Sequence, residues 1–339
     1  MSLKQRIFYF DELRMIAILA VILCHVSNFY PHVATSFKAA IPYFLLALGR
    51  IGVPLFLMLS GALLLNRDYE LSFFLKKRFS RILIPFIFWV IFIGFYQFYI
   101  LNFTSVDTVK WMLGGGITWY VYELIGAYFF IPVVNAFIKQ YGDTGVKYFL
   151  ILWIVTVILK TFNLNPISHL NLENFTGFIG YMVMGYYLSN KKFNLKDNTM
   201  IFIGILLFVV FYIVHCASCF YYDNLFDYVS LFLLIQSAGI FLAFRYLSEY
   251  KKNNENSSIA NIGNKIENGI IGKIVLSISI CSYGMYFTHT IVYRTFDYLF
   301  NFPTLKLLPI AFIAIVILSW AITYVCSKIP VISKVSGVK

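Results

Sequence analysis

Ten runs of mostly apolar residues, each about long enough to cross a lipid bilayer, divide this chain: roughly 8–30, 42–65, 82–101, 117–138, 148–163, 174–190, 199–217, 228–247, 274–296 and 306–327. One crossing helix takes about 20 apolar residues, so ten crossings use about 200. The 339 residues are 60% hydrophobic, which is about 203 residues. Almost the whole apolar inventory is therefore committed to lipid-spanning helices, and a soluble enzyme, a disordered chain and a small disulfide scaffold are excluded. Only 12% of residues are charged, about half the ~25% of a soluble domain. The pattern predicts an all-α, polytopic membrane protein with about ten transmembrane helices, built as a single domain over residues 1–339.

Charge bias gives the orientation, because Lys and Arg gather at the cytoplasmic ends of helices. With the N-terminus inside, 20 of the 27 basic residues fall in inner segments and five in outer ones, and Arg14 and Arg50 lie inside spans. An even number of spans then puts the C-terminus in the cytoplasm as well. The net charge of +12 is mostly this topology signal, and no basic, aromatic-interleaved module reads as a nucleic-acid interface. The first run, preceded by Lys4 and Arg6, carries Arg14 and His25 and continues into nine more runs, so it reads as a retained helix and not as a cleaved leader. The longest segment between runs, 248–273, is Asn-rich and polar and reads as a cytoplasmic linker with some local helix.

Ionisable residues at membrane depth cost a few kcal/mol each, so each one calls for a reason. Arg14 and His25 are eleven residues apart, about three helical turns, which places both on one face with roughly 16 Å between them along the axis. Asp11 shares that face and can pair with Arg14. Counting inward from the outer ends of their runs puts His25, Arg50, Glu123 and His289 at about one level. A shared interior would let them pair, either as a purely structural network or as a working site. As a site they hold what acyl transfer requires: a His to take the proton of an attacking hydroxyl, a carboxylate to orient it, and an Arg for a developing oxyanion. Closer to the inner face, Arg14 and the cluster Lys76, Lys77, Arg78 and Arg81 suit a phosphate-rich donor, although a basic cluster there is also an ordinary topology signal.

Other features invite blander readings. Cys216 and Cys219 in HCASC lack further metal ligands and sit awkwardly for a disulfide, so they read as structural, and no metal is expected. Cys24 points away from His25 around the helix. His32, His169 and His215 read as solvated, and Gly114, Gly115 and Gly116 as a flexible entry to the fourth run. Trp119 and Tyr120, at the outer mouth above Glu123, form a candidate sugar-stacking platform.

Several segments resemble the membrane-bound acyltransferase 3 family: FDELRMIAILAVILCH (10–25), RIGVPLFLMLSG (50–61), KKRFSRILIPF (76–86), TWYVYELIGAY (118–128) and SYGMYFTHTIV (282–292), in order and on matching spans. The resemblance implies ten transmembrane helices in a bacterial cytoplasmic membrane. It also implies transfer of an acyl group, usually acetyl from acetyl-CoA, to a cell-envelope polysaccharide or its lipid-linked precursor. Carried over by position, Arg14 and His25 match the family's essential pair, and Arg78 and Arg81 match the loop arginines proposed to hold the donor, with Lys77 beside them. On this reading His25, Arg14, Glu123 and Arg50 are catalytic candidates, Arg78, Arg81, Lys77 and Arg14 bind the donor, and Trp119, Tyr120 and His289 meet the acceptor. A transporter or exporter using the same intramembrane charges is the competing reading, but the paired broken helices typical of transporters are not evident. A structural or sensory subunit is the third.

Overall fold

The computed structural model describes residues 6–28, 37–114, 118–162, 177–218, 227–300 and 305–338, and among these there is no strand. The helices are α1 (Phe8–Ser27), α2 (Phe37–Gly49), α3 (Gly52–Leu64), α4 (Leu71–Tyr99), α5 (Ser105–Gly114) and α6 (Thr118–Thr161). They continue with α7 (Ile179–Asn190), α8 (Asp197–Ser218), α9 (Leu231–Asn253), α10 (Ser258–Asn268), α11 (Ile270–Phe300) and α12 (Leu308–Lys328). Among the described residues seven helical stretches are long and apolar enough to cross a membrane. α1 is not among them because Asp11, Glu12 and Arg14 crowd its first turns, and α7 is described for only 12 residues. Large apolar side chains such as Phe95, Phe129, Val133, Ile151, Phe202, Ile213, Ile310 and Ile317 are exposed along these stretches. So much apolar surface is tolerated when lipid covers it. This is a multi-pass membrane protein.

α1 occupies the middle of the bundle. It packs against α2, α3, α9, α11 and α12, and Leu13, Ala17, Ile18 and Ile22 are fully buried. The run read as 42–65 is two helices, α2 and α3, broken at Arg50 and Ile51. Pro54, four residues past Arg50, has no N–H to give the Arg50 carbonyl, and the helical ladder is interrupted there. Gly49 and Gly52 press on the α1 backbone so closely that a Cβ would lie 2.6 Å from Cys24 N and 2.5 Å from Ala17 O.

As a continuous rod, the 44 residues of α6 would run about 66 Å, twice the hydrocarbon thickness. Gly142, at φ 57° and ψ −140°, reverses it, in a region of backbone space open chiefly to glycine. Trp119 rests on Tyr228 while Lys160 pairs with the adjoining Asp227. The two far ends of α6 therefore lie at one end of the bundle, with Gly142 at the other. Ion pairs mark that other end: Lys139 with Asp68, and Asp143 with both Lys147 and Lys191. The Lys139 ammonium holds the Asp68 carboxyl below its usual pKa. Such exposed pairs add little stability, but every one joins positions that the alternation of runs places on the same face.

Two of the sequence expectations change form. Lys76, Lys77, Arg78 and Arg81 sit on the first turns of α4, whose 29 residues start well before its apolar run. The expected 248–273 linker is mostly helix, shared among α9, α10 and α11, with only 254–257 and Gly269 outside them.

α3 and α7 touch through glycine. A Cβ on Gly61 would lie 1.8 Å from Met182 O, and one on Gly185 2.1 Å from Met58 O. In lipid, where burying apolar surface does not drive helices together, such close van der Waals contact holds them. Gly61→Val is therefore expected to lower stability by at least about 1–3 kcal/mol, the usual cost of overpacking. Thermal unfolding in detergent reads it, and an unchanged melting temperature would contradict this packing.

Candidate functional site

In the first turn of α1 the Asp11 carboxylate, with its side chain 3% exposed, is met from three sides. Arg6 forks onto it, Nε to Oδ2 at 2.5 Å and Nη2 to Oδ1 at 2.8 Å. From α11, the Ser279 hydroxyl donates to Oδ1 at 2.6 Å. Arg14 Nη1 lies 3.5 Å from the same oxygen and donates to Ser279 Oγ at 3.2 Å. The Asp11–Arg14 pair expected from their shared face is thus present, bridged by a serine that is unremarkable in the sequence. One carboxylate faces two guanidiniums, so the group keeps a surplus positive charge.

That surplus borders a cavity of about 330 Å³ among α1, α3, α4, α6 and α11. Arg6, Arg14 and Arg78 line it together with Ser60, Ser279, Ser282, Tyr120, Tyr128 and Tyr286, and among the described residues no carboxylate does. Tyr128, buried in α6, lies within electrostatic reach of Arg14, Arg78 and Arg81 at once. Cations from two well-separated stretches of sequence, 6–14 and 78–81, therefore converge on one space, which suits a polyanion.

Aromatic rings lead onward from the cavity wall. Tyr120 and Tyr286 are 5.5 Å apart between centroids, Tyr286 and His289 6.1 Å, and His289 and His25 5.1 Å. The His25 ring also stacks on Tyr293 at 5.9 Å. His289 is fully buried, and its Nδ1 lies 3.0 Å from Met285 O. A carbonyl can only accept, so Nδ1 carries a proton, and the tautomer this fixes for the neutral ring has its lone pair at Nε2. That Nε2 is buried with no hydrogen-bond partner among the described residues. The charges acting on His25 are cationic, Arg50 and Arg294. The Arg50 guanidinium stacks over Tyr228 at 4.5 Å, with its Nε buried and unpartnered among the described residues. Arg294, one of the five basic residues counted in outer segments, lies on α11.

A family model described as an acyltransferase domain matches residues 7–325. The chain belongs to the acyltransferase 3 family. The match runs from the start of α1 almost to the end of α12 and takes in every residue of both clusters except Arg6. No curated protein and no solved structure matches the chain.

In this membrane acyltransferase the residues singled out from the sequence separate into groups. Arg14, Arg78 and Tyr120 line one cavity, and His25 and His289 meet beside it. Glu123 does not join them. It is exposed on α6 and does not line the cavity, and the groups acting electrostatically on His25 do not include it. The level count along the spans was blind to which way the fourth span is rotated. Lys77 and Arg81 are exposed on α4, with Lys77 over the Phe73 ring at 5.0 Å. Tyr120 is 5% exposed and belongs to the cavity wall, so it is no open stacking platform. Trp119, half-buried, packs on Tyr228 at 4.9 Å. His215 corrects the solvated reading, being fully buried where α8 meets α9, with Nδ1 3.4 Å from Gln236 Oε1. His32, His169, Gly115, Gly116 and Cys219 lie outside the described residues. Cys24, Cys216, Cys281 and Cys326 are free thiols, and no three potential metal ligands cluster among the described residues. Ser279, Tyr128, Tyr228, Tyr286 and Arg294 escaped sequence reasoning. Ser279, Tyr128 and Tyr286 are ordinary constituents of apolar helices, Tyr228 lies in the bend before α9, and only the charge of Arg294 could have marked it.

Proposed function

We propose that this protein is an O-acyltransferase that takes acetyl-CoA from the cytoplasm and passes the acetyl group to a hydroxyl of a cell-envelope polysaccharide or its lipid-linked precursor. It would do so from a bacterial cytoplasmic membrane, with ten spans and both termini inside. One observation carries the reading. Arg14 of the phosphate-suited cations and His25 of the imidazole pair share a face of α1 about 16 Å apart along its axis, and the cavity and its tyrosine wall connect the two groups. A pantetheine arm can cover that distance, leaving the phosphates on Arg6, Arg14 and Arg78 and the thioester near His25. Lys77 and Arg81, exposed beside Arg78, would draw the donor in.

The reaction then follows from the groups in place. The acceptor oxygen attacks the thioester carbonyl carbon while His25 removes the hydroxyl proton, and the C–S bond breaks as the ester forms. The thiolate leaves and takes up the proton from the imidazolium, so the enzyme returns to its starting state. Arg50 and Arg294 supply positive charge where the oxyanion develops. His289, its tautomer set by Met285 O, offers a lone pair towards the same space in the place a carboxylate was expected to fill. Trp119 borders the approach of the saccharide.

The test is purified protein in liposomes with radiolabelled acetyl-CoA and a hydroxyl acceptor. Release of free CoA thiol with label moving to the acceptor is the expected result. Inertness towards acetyl-, propionyl- and succinyl-CoA, together with saccharide crossing the vesicle membrane, would replace this reading with transport.

A further inference from the structure

α10, SIANIGNKIEN, carries three distinct stripes. Ala260, Gly263 and Glu267 face the protein: Ala260 is fully buried, a Cβ on Gly263 would lie 2.5 Å from Lys251 Cδ, and Glu267 pairs with Lys251 Nζ at 3.6 Å. Asn261, Asn264, Lys265 and Asn268 form an exposed polar stripe. Ile259, Ile262 and Ile266 form the third, 51%, 60% and 40% exposed. At 100° per residue the isoleucine stripe lies about 100° from the packed stripe and about 140° from the polar one. One side of the helix is thus held by protein, one is suited to water, and one is apolar and uncovered.

The surroundings say what covers it. One residue past α10, α11 begins with Ile270, Ile271 and Ile274, 77%, 55% and 50% exposed, at the start of a stretch apolar enough to cross a membrane. The apolar surface of that stretch therefore continues onto α10. Lys252, Lys265 and Lys273 are exposed around it, against the single exposed acid Glu255. Three isoleucines present far less than the ~1,000 Å² needed for a stable protein interface, whereas a basic amphipathic helix is what a bilayer surface holds.

We propose that α10 lies in the plane of the membrane surface, its isoleucine stripe set into the headgroup and acyl boundary of the leaflet that α11 enters, with the lysines among anionic headgroups. The helix then braces the entrance to the cavity. Lys251, fixed against Gly263 and Glu267, places its ammonium 5.8 Å from the Phe8 ring, two residues from Arg6.

Single cysteines carrying an environment-sensitive fluorophore at 262, 264, 266 and 268 test this, with the full chain in vesicles of phosphatidylcholine and phosphatidylglycerol and the parent protein as labelling blank. Labels at 262 and 266 should be quenched by lipid-borne nitroxide and shielded from iodide by at least about threefold relative to labels at 264 and 268. Iodide reaching 262 as freely as 264 overturns the proposal. So does shielding without lipid quenching accompanied by disulfide formation between 262 residues of two chains, which assigns the stripe to a second copy. The unsubstituted protein gives a parallel reading. Amide exchange across 258–268 should slow about tenfold on transfer from a lipid-free polymer belt to the vesicles, and unchanged exchange overturns the proposal as well.

Discussion

Replacing His25 with alanine is expected to lower acyl transfer by roughly 10²–10⁴, the range that a positioned general base contributes. The substitution removes a ring that touches His289 and Tyr293 and no hydrogen bond to a described residue, so the helices around it should still assemble. Size-exclusion behaviour and melting temperature would then stay near those of the parent while donor turnover collapses. His289→Gln offers a finer measurement. Glutamine keeps a polar group near Met285 O but lacks the Nε2 lone pair offered beside His25, so kcat should fall with little change in donor KM. Full-rate transfer by His25→Ala would remove the imidazole pair from the chemistry and leave it as packing.

The second large effect is expected at the cations. Arg14→Ala removes a guanidinium that lines the cavity and leaves Asp11 with Arg6 and Ser279 as partners, so no buried carboxylate is stranded. A charge-assisted hydrogen bond is worth about 1.5–3 kcal/mol, which corresponds to a donor KM roughly ten- to a hundredfold higher. Arg78→Ala should act in the same direction. Lysine at position 14 should rescue only partly, because a single ammonium cannot serve Ser279, Asp11 and a phosphate as a fork does. Initial rates against acyl-CoA concentration read the effect. A kcat loss at unchanged KM would mean that Arg14 acts on the reacting atoms and not on the phosphates.

How much of this was legible beforehand follows from how each kind of signal arises. Membrane insertion demands long apolar runs, so the helices and their order are written in composition, and alternation of the runs placed the ion-paired ends correctly. Charges in those runs are rare and costly, so Arg14, Asp11, His25 and His289 stood out and are found in contact or close to it. Rotation of a helix about its own axis leaves a weaker trace in an apolar sequence, where lipid-facing and protein-facing positions hold the same residue types. Glu123 was misplaced for that reason, and Tyr120, read as a surface platform, proved to be buried. The break at Arg50 went unread although Pro54 marks it, whereas the seating of Gly49 and Gly52 on the backbone of α1, a contact between separate runs, left no local signal. Ser279 has no local signal at all, because its importance comes from lying opposite a carboxylate 268 residues away.

That separation has a consequence for how the protein is made. α1 is synthesised first, yet the hydroxyl that completes its charge network arrives with α11, roughly 15–50 s later at ordinary rates of chain elongation. During that interval Asp11 and Arg14 have only Arg6 and each other, at the edge of a bilayer that penalises them. A nascent chain stalled before α11 therefore carries an incomplete charge network on α1, lacking the hydroxyl that joins Asp11 to Arg14.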